Sequence, residues 1–243
     1  MNESKGWQSK EAVEHYRRIA EVLIPGRKEI LSLIASLAAV TTDNHPKILD
    51  LGCGYGEVTA QILANNPDAE IYMVDYSDEM INMAKDRFIS NSNVKIIKHN
   101  LNLGVPPSAK SVQFNSVVSC FALHHVEFEN RTNLYSSIEG VLKPGGLFVN
   151  GDRFKGDSPT IDRWEFDNWI SWMVERIKQE APVERPFDTV KKTQIESDKR
   201  LGDKPGTVLE MMNDLIQSGF QYVDCIWKHQ NLGIIAASKY LAR

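Results

Sequence analysis

Three glycines spaced two positions apart, Gly52, Gly54 and Gly56, stand directly behind the run Ile48-Leu49-Asp50-Leu51. Nothing else in the chain restricts its fold as tightly. Glycine enters left-handed backbone conformations without a Cβ penalty, so the cluster lets a strand turn sharply into a helix. It also lets a ligand lie close against main chain. Val58 to Ala64 fits the following helix, and a second apolar run, Ile71 to Val74, ends in Asp75. A carboxylate at the tip of that second strand can accept hydrogen bonds from adjacent ribose hydroxyls. The spacing predicts a nucleotide-binding βαβ unit with Asp50 and Asp75 on its polar edge.

The alternation continues. Met80 to Phe88 reads as helix, Val94 to Ile97 as a third strand and Val117 to Ser119 as part of a fourth. Gly146 to Val149 marks a fifth, after a Lys143-Pro144-Gly145-Gly146 turn. Lys10 to Ala38 reads as two helices parted by Pro25-Gly26. Thr207 to Ser218 reads as a helix stopped by Gly219, followed by strands at Phe220 to Trp227 and Leu232 to Ala237. Their short connection requires antiparallel pairing, because a parallel crossover needs many more residues. The expected fold is α/β and Rossmann-like: a mainly parallel seven-stranded sheet with a C-terminal antiparallel strand, N-terminal helices and a helical cap. One domain is expected over residues 1–243. Within it lie an N-terminal helical segment (1–45), a cofactor-binding core (46–152), a cap insertion (153–205) and a C-terminal helix with a strand pair (206–243).

The interval from Arg153 to Pro205 is too long for a bare strand-to-helix connection. Its first half, with Trp164, Phe166, Trp169, Ile170, Trp172 and Met173, is consistent with an amphipathic helix. Its second half is more polar, with several Pro and Gly breaks. A cap near the carboxyl ends of the strands is expected, where this architecture binds ligands. Trp164, Trp169 and Trp172 are candidates for one wall of an acceptor pocket, against core packing of the cap. Near its start stand Asp152, Arg153, Asp157 and Arg163, with Arg153 the first candidate for carboxylate recognition and a structural ion pair its alternative.

The motif Asp50-Leu51-Gly52-Cys53-Gly54-Tyr55-Gly56 closely resembles the first motif of the class I S-adenosylmethionine-dependent methyltransferases. The resemblance extends through His99-Asn100-Leu101, Phe121-Ala122-Leu123-His124-His125 and Leu142-Lys143-Pro144-Gly145-Gly146. It implies that S-adenosyl-L-methionine is bound and S-adenosyl-L-homocysteine released. Gly52, Cys53, Gly54 and Gly56 would meet the methionyl part, with Asp50 helping to place it. Asp75 would bind the ribose hydroxyls and Tyr76 pack near the adenine, with Met80 on the adjoining apolar surface. Asn100 stands where many relatives have an adenine-contacting Asp, followed by Leu101, and Phe121 would approach the cofactor. A nicotinamide-dependent oxidoreductase is the competing fold-level reading. Its fingerprint, G-x-G-x-x-G, would place the third glycine one residue later than Gly56. Leu23-Ile24-Pro25-Gly26 and Met212 to Phe220 also resemble enzymes related to carboxy-S-adenosylmethionine synthase, which modify the cofactor using prephenate and support tRNA modification. The Ala122-Leu123-His124-His125 run looks more like small-molecule methyltransferases.

His124 and His125 follow the fourth strand on the expected ligand face. A neutral imidazole there could take a proton from the nucleophile that receives the methyl group, with His125 placed ahead of His124. Two adjacent histidines without further ligands do not make a metal site, so none is expected. The chain carries 28 Lys and Arg against 32 Asp and Glu, a net charge of -4, which disfavours a dominant nucleic-acid surface despite Arg27/Lys28 and Lys191/Lys192. A small-molecule acceptor is expected, with an RNA or protein substrate or a nonenzymatic cofactor-binding role as alternatives. Homo-oligomerisation stays open. Residues 1–7 lack the apolar core of a secretory signal, no run of 18 apolar residues could span a bilayer, and Cys53, Cys120 and Cys225 lie far apart. These features read as a reduced, cytoplasmic protein without membrane insertion.

Overall fold

A computed structural model describes residues 7, 9–40, 43–180 and 184–239; residues 1–6, on which the expectation of no secretory signal rests, lie outside them. The alternation of short apolar runs with helices becomes a seven-stranded sheet. In chain order the core elements are β1 (Lys47–Leu51), α3 (Glu57–Asn65), β2 (Glu70–Asp75), α4 (Asp78–Arg87), β3 (Val94–Lys98), β4 (Phe114–Cys120), α5 (Phe128–Val141) and β5 (Leu142–Arg153). They are preceded by α1 (Lys10–Leu23) and α2 (Arg27–Ala38) and followed by α6 (Pro159–Glu180), α7 (Phe187–Leu201), α8 (Val208–Gln217), β6 (Tyr222–His229) and β7 (Leu232–Ser238). The strand order is β3-β2-β1-β4-β5-β7-β6, with β7 antiparallel to both of its neighbours and the other pairs parallel. The order reverses between β1 and β4, which opens a crevice at their carboxyl ends.

Period-two alternation sends each strand's side chains to two cores. On one face Leu49, Leu51, Val74, Val117 and Phe148 pack with Leu134 and Ile138 of α5 and Leu215 of α8. On the other, Ile48, Ile71, Met73, Val118 and Val149 pack with Ile30 and Ile34 of α2 and Ile62 of α3. Ile48 and Leu49 are both fully buried, as expected for a strand covered by helices on each side. A satellite cluster of Trp169, Ile170, Met173 and Val190 joins α6 to α7.

The structure adds three features. Helix α5 escaped the sequence pattern because its apolar stripe is narrow and its inner face also buries a charged residue, Arg131. The Lys143-Pro144-Gly145-Gly146 segment, expected as a turn, lies inside β5 as an irregularity: Phe114 pairs with Leu142 and Ser116 with Leu147. The polar second half of the cap forms α7, closed by left-handed Gly202. No helix among the described residues is long and apolar enough to cross a membrane.

Candidate functional site

The glycine turn leaves β1 in left-handed geometry, with φ of 66° at Gly52 and 53° at Gly54. At Gly52 a Cβ would stand 2.2 Å from the Ala122 Cβ, so only hydrogen fits between the turn and the exit of β4. Gly56 begins α3 and packs by Phe88 and Met73, outside the cavity described below. The turn's main chain fixes Asp75: Gly54 N–H donates to Oδ2 and Ser77 N–H to Oδ1, each at 2.8 Å. A carboxylate oxygen has two lone pairs, so both remain able to accept from a ligand hydroxyl. Asp50 lies beneath the turn and accepts a 2.6 Å hydrogen bond from the Thr59 hydroxyl. Burial, reinforced by the Asp75 charge and opposed by Thr59, pushes the Asp50 carboxyl up to about 7. Burial also raises Asp75, against the backbone donors of Ser77, Gly54 and Tyr76.

These groups open into a cavity of about 1160 Å³. Asp50, Gly52, Cys53, Gly54, Asp75, Tyr76, Met80, Asn100, Leu101 and Phe121 all line it. Asn100 spends its side-chain oxygen on Asn102 N–H at 3.0 Å, capping the short turn that begins at Leu101. Phe121 sits at φ 52°, an uncommon conformation for an aromatic residue, while its N–H donates to the Gly151 carbonyl. A backbone cradle, a fixed carboxylate and apolar Met80 and Leu101 fit the nucleoside and methionyl parts of S-adenosylmethionine.

The opposite wall belongs to the cap and the N-terminal helices. Arg153 lines it, its guanidinium 4.5 Å from the Trp169 ring centroid and paired with Asp198 at 2.6 Å and Asp203 at 3.4 Å. Trp169 also lines the cavity and donates its indole N–H to the Leu23 carbonyl at 2.7 Å. Trp164 and Trp172 stand outside it: Trp164 is 60% exposed and Trp172 packs into the α6–α7 cluster. Helical spacing cannot place four aromatic residues on one narrow face. Asp157 and Arg163 are exposed.

His124 and His125 both line the cavity, on a single turn after β4. The His124 Nδ1 lies 2.5 Å from the Asp152 carboxylate, which also accepts the His124 backbone N–H at 3.2 Å. Burial pulls His124 down, but the charge and hydrogen bond of Asp152, with Asp203 behind it, leave it above its ordinary value. Burial and the nearby charges of His124, Lys204 and Arg153 push His125 well below its ordinary value. Asp203, raised by burial to about 6, brings Oδ1 to 3.4 Å from His125 Nδ1 and 3.9 Å from His124 Nε2. The segment holding Asp203 is clamped in place. Lys204 N–H donates to the His124 carbonyl at 2.8 Å, and Arg131 donates to the carbonyls of both Val126 and Lys204.

Several lining residues escaped sequence reasoning. Trp7, whose carbonyl accepts from Ser77, meets Tyr16 and His125 edge-on at centroid distances of 5.2 and 5.8 Å. Arg27 is buried and paired with Glu57 and Glu21. Burial pushes the Tyr16 phenol up to about 12. Asp198 and Asp203 come from α7 and the residues behind it. No local motif announces such groups, because tertiary packing alone brings them to the β4 exit.

Residues 48–146 match a family described as a methyltransferase domain. The chain is 33% identical over 159 residues to a carboxy-S-adenosyl-L-methionine synthase of Colwellia psychrerythraea, covering 63% of this chain and 62% of that protein. It is 26% identical over 223 residues to the enzyme of the same name from Hamiltonella defensa, covering 89% and 82%. Among solved structures it resembles human N-acetylserotonin methyltransferase in complex with SAM, at TM-score 0.61 and 17% identity, over 96% of this chain and 57% of that one. The chain thus spans less than two thirds of the first relative and of that solved chain.

Proposed function

We propose that this chain is a class I S-adenosylmethionine-dependent methyltransferase, in keeping with its methyltransferase-domain match, and that it transfers a methyl group to a small-molecule nucleophile held beneath its helical cap. One observation carries the reading: the glycine turn and the cap line the same cavity, of about 1160 Å³. That volume slightly exceeds the roughly 300–1,000 Å³ typical of single-ligand pockets and suits a nucleoside cofactor beside a modest acceptor.

When bound, S-adenosylmethionine supplies an electrophilic methyl group. Asp75 orients the ribose, while Gly52 and Gly54 admit the cofactor against the main chain. Met80 and Leu101 offer an apolar surface to the adenine, with Tyr76 and Asn100 at its edge. His124 and His125 contact the nucleophilic end of the acceptor, and Arg153 and Trp169 frame its far side. Trp7 and α1 exclude water, so positioning supplies much of the acceleration. The net charge of -4 gives little support to a nucleic-acid substrate. We place the protein in the cytoplasm.

A second reading is favoured by the names of the relatives: formation of carboxy-S-adenosylmethionine from the cofactor. Besides the exposed Arg200, the cavity wall carries two guanidinium groups, Arg27 and Arg153, and against this reading each of these two is paired with two carboxylates. Neither is unencumbered for a carboxylate-bearing reactant. The test is incubation with methyl-labelled cofactor and a broad metabolite extract, with products resolved by mass spectrometry. A labelled small molecule is the expected product. Label confined to RNA or protein would overturn the substrate class, and a carboxylated cofactor formed with prephenate would select the second reading.

A further inference from the structure

The turn after β4 carries adjacent imidazoles, and the fold brings a carboxylate to them that the sequence does not reveal. One ligand atom from each of His124, His125 and Asp203 lies within 4.8 Å of the others. We propose that His124 Nε2, His125 Nδ1 and Asp203 Oδ1 form a three-ligand site for a divalent first-row transition-metal ion of the zinc class. The inference goes beyond the proposed methyl transfer and does not depend on it.

Four observations carry it. The first is geometric. A tetrahedral ion with ligand bonds near 2.0–2.2 Å sets its ligands about 3.3–3.5 Å apart. The His125–Asp203 edge is 3.4 Å and the His124–Asp203 edge 3.9 Å, close to that spacing, and the three ligand atoms all lie within 4.8 Å of one another. Second, Asp152 takes the Nδ1 hydrogen of His124 at 2.5 Å. That bond fixes the tautomer with its lone pair on Nε2, on the side of Asp203, which is the carboxylate–histidine support that metal-ligating imidazoles use.

Third, His125 Nδ1 and Asp203 Oδ1 are both buried without a hydrogen-bond partner, although they face each other. The Asp203 side chain is 9% exposed. Buried polar atoms are normally satisfied, and leaving two unpaired side by side costs stability. A cation between them satisfies both. Fourth, Asp198 and Asp203 share one guanidinium, that of Arg153, while a third carboxylate, Asp152, lies against His124. The neighbouring Lys204 ammonium is itself paired with Glu127 at 3.1 Å. The surplus negative charge suits a divalent ion. His124, His125 and Asp203 all line the cavity, so the fourth coordination position is within reach of a ligand there.

The test uses the full chain, stripped with chelator and desalted. Equilibrium dialysis against Zn²⁺ with metal analysis is expected to give one tightly held ion per chain. Titration with Co²⁺ is expected to develop the intense visible absorption of a four-coordinate nitrogen–oxygen site. Asp203→Asn and His125→Gln should each weaken Zn²⁺ binding at least tenfold, and Asp152→Asn by about 10–100-fold through loss of the support. His229→Ala, at a histidine that does not line the cavity, should leave it unchanged. Circular dichroism and S-adenosylmethionine calorimetry on the same preparations establish that each variant is folded. A folded wild-type chain that holds no zinc overturns the inference, and so does zinc binding that survives Asp203→Asn with affinity intact. A chain that binds zinc but no S-adenosylmethionine would leave this site standing and count against the proposed methyl transfer alone.

Discussion

Gly52→Ala isolates the contact that shapes the cofactor turn. Two separable effects oppose the new methyl group. The φ of 66° places an L-residue in the left-handed region, at about 1–2 kcal/mol. The added Cβ also lands 2.2 Å from the Ala122 Cβ, far inside contact distance, and overpacking of this kind costs about 1–3 kcal/mol. Together they predict a loss of about 2–5 kcal/mol, read as a lower urea midpoint with an unchanged slope. Ala122→Gly removes the opposing methyl, so the double variant should recover the steric part and retain the backbone part. The coupling energy from the double-mutant cycle is expected at about 1–3 kcal/mol. Calorimetry with S-adenosylmethionine should follow the same order: weakest in Gly52→Ala, partly restored in the double variant. Strict additivity would show that the turn does not abut Ala122. A neutral Gly52→Ala would refute the left-handed turn itself.

Asp75→Ala should weaken S-adenosylmethionine binding by about 1–3 kcal/mol in calorimetry, because it removes the ribose acceptor and strands the Gly54 and Ser77 N–H groups; unchanged affinity would remove Asp75 from the cofactor site. The Asp50 carboxyl titrates near 7 in the fold against an ordinary 3.8, so its contribution to stability is fully present below about 3.8 and is lost as pH rises through about 7. Those three units correspond to about 4 kcal/mol, and Asp50→Asn should therefore gain on the wild type from pH 5 to pH 8 in denaturant melts. A constant difference across that range would contradict the shift. His125→Ala should lower turnover of the labelled acceptor more than it lowers cofactor affinity, and equal kinetics would take His125 out of the reaction. Arg153→Met leaves Asp198 and Asp203 without their guanidinium and should cost about 3 kcal/mol in chemical denaturation; a loss below 1 kcal/mol would mean those pairs are screened.

The parts of the site that are local in sequence were legible there. Gly52, Gly54 and Asp75 belong to one strand-turn-helix-strand unit, whose period and spacing carry their positions. The pairing of β6 with β7 followed from the short link between them. Helix α5 was not legible, because Arg131 occupies its inner face and makes the segment look solvated. Trp164 and Trp172 share a helix with Trp169, and composition could not tell which indole faces inward. The partnership of His124 with Asp152 and Asp203 lies beyond any motif. Asp203 is presented by a left-handed residue behind α7 and held by Lys204 N–H on the His124 carbonyl, an arrangement that exists only once the cap has docked.

The cavity is walled both by Trp7, ahead of α1, and by Leu232 of β7. Among the described residues β6 pairs with β7 alone, and β7 completes its ladder against β5. A nascent polypeptide that has emerged from the ribosome only as far as β6 therefore has a bare β5 edge and an unfinished chamber. Ligand affinity should appear abruptly during synthesis, when the β6–β7 hairpin zips onto β5, and retention on immobilised S-adenosylhomocysteine would then sort chains that carry the docked hairpin from those stalled before it.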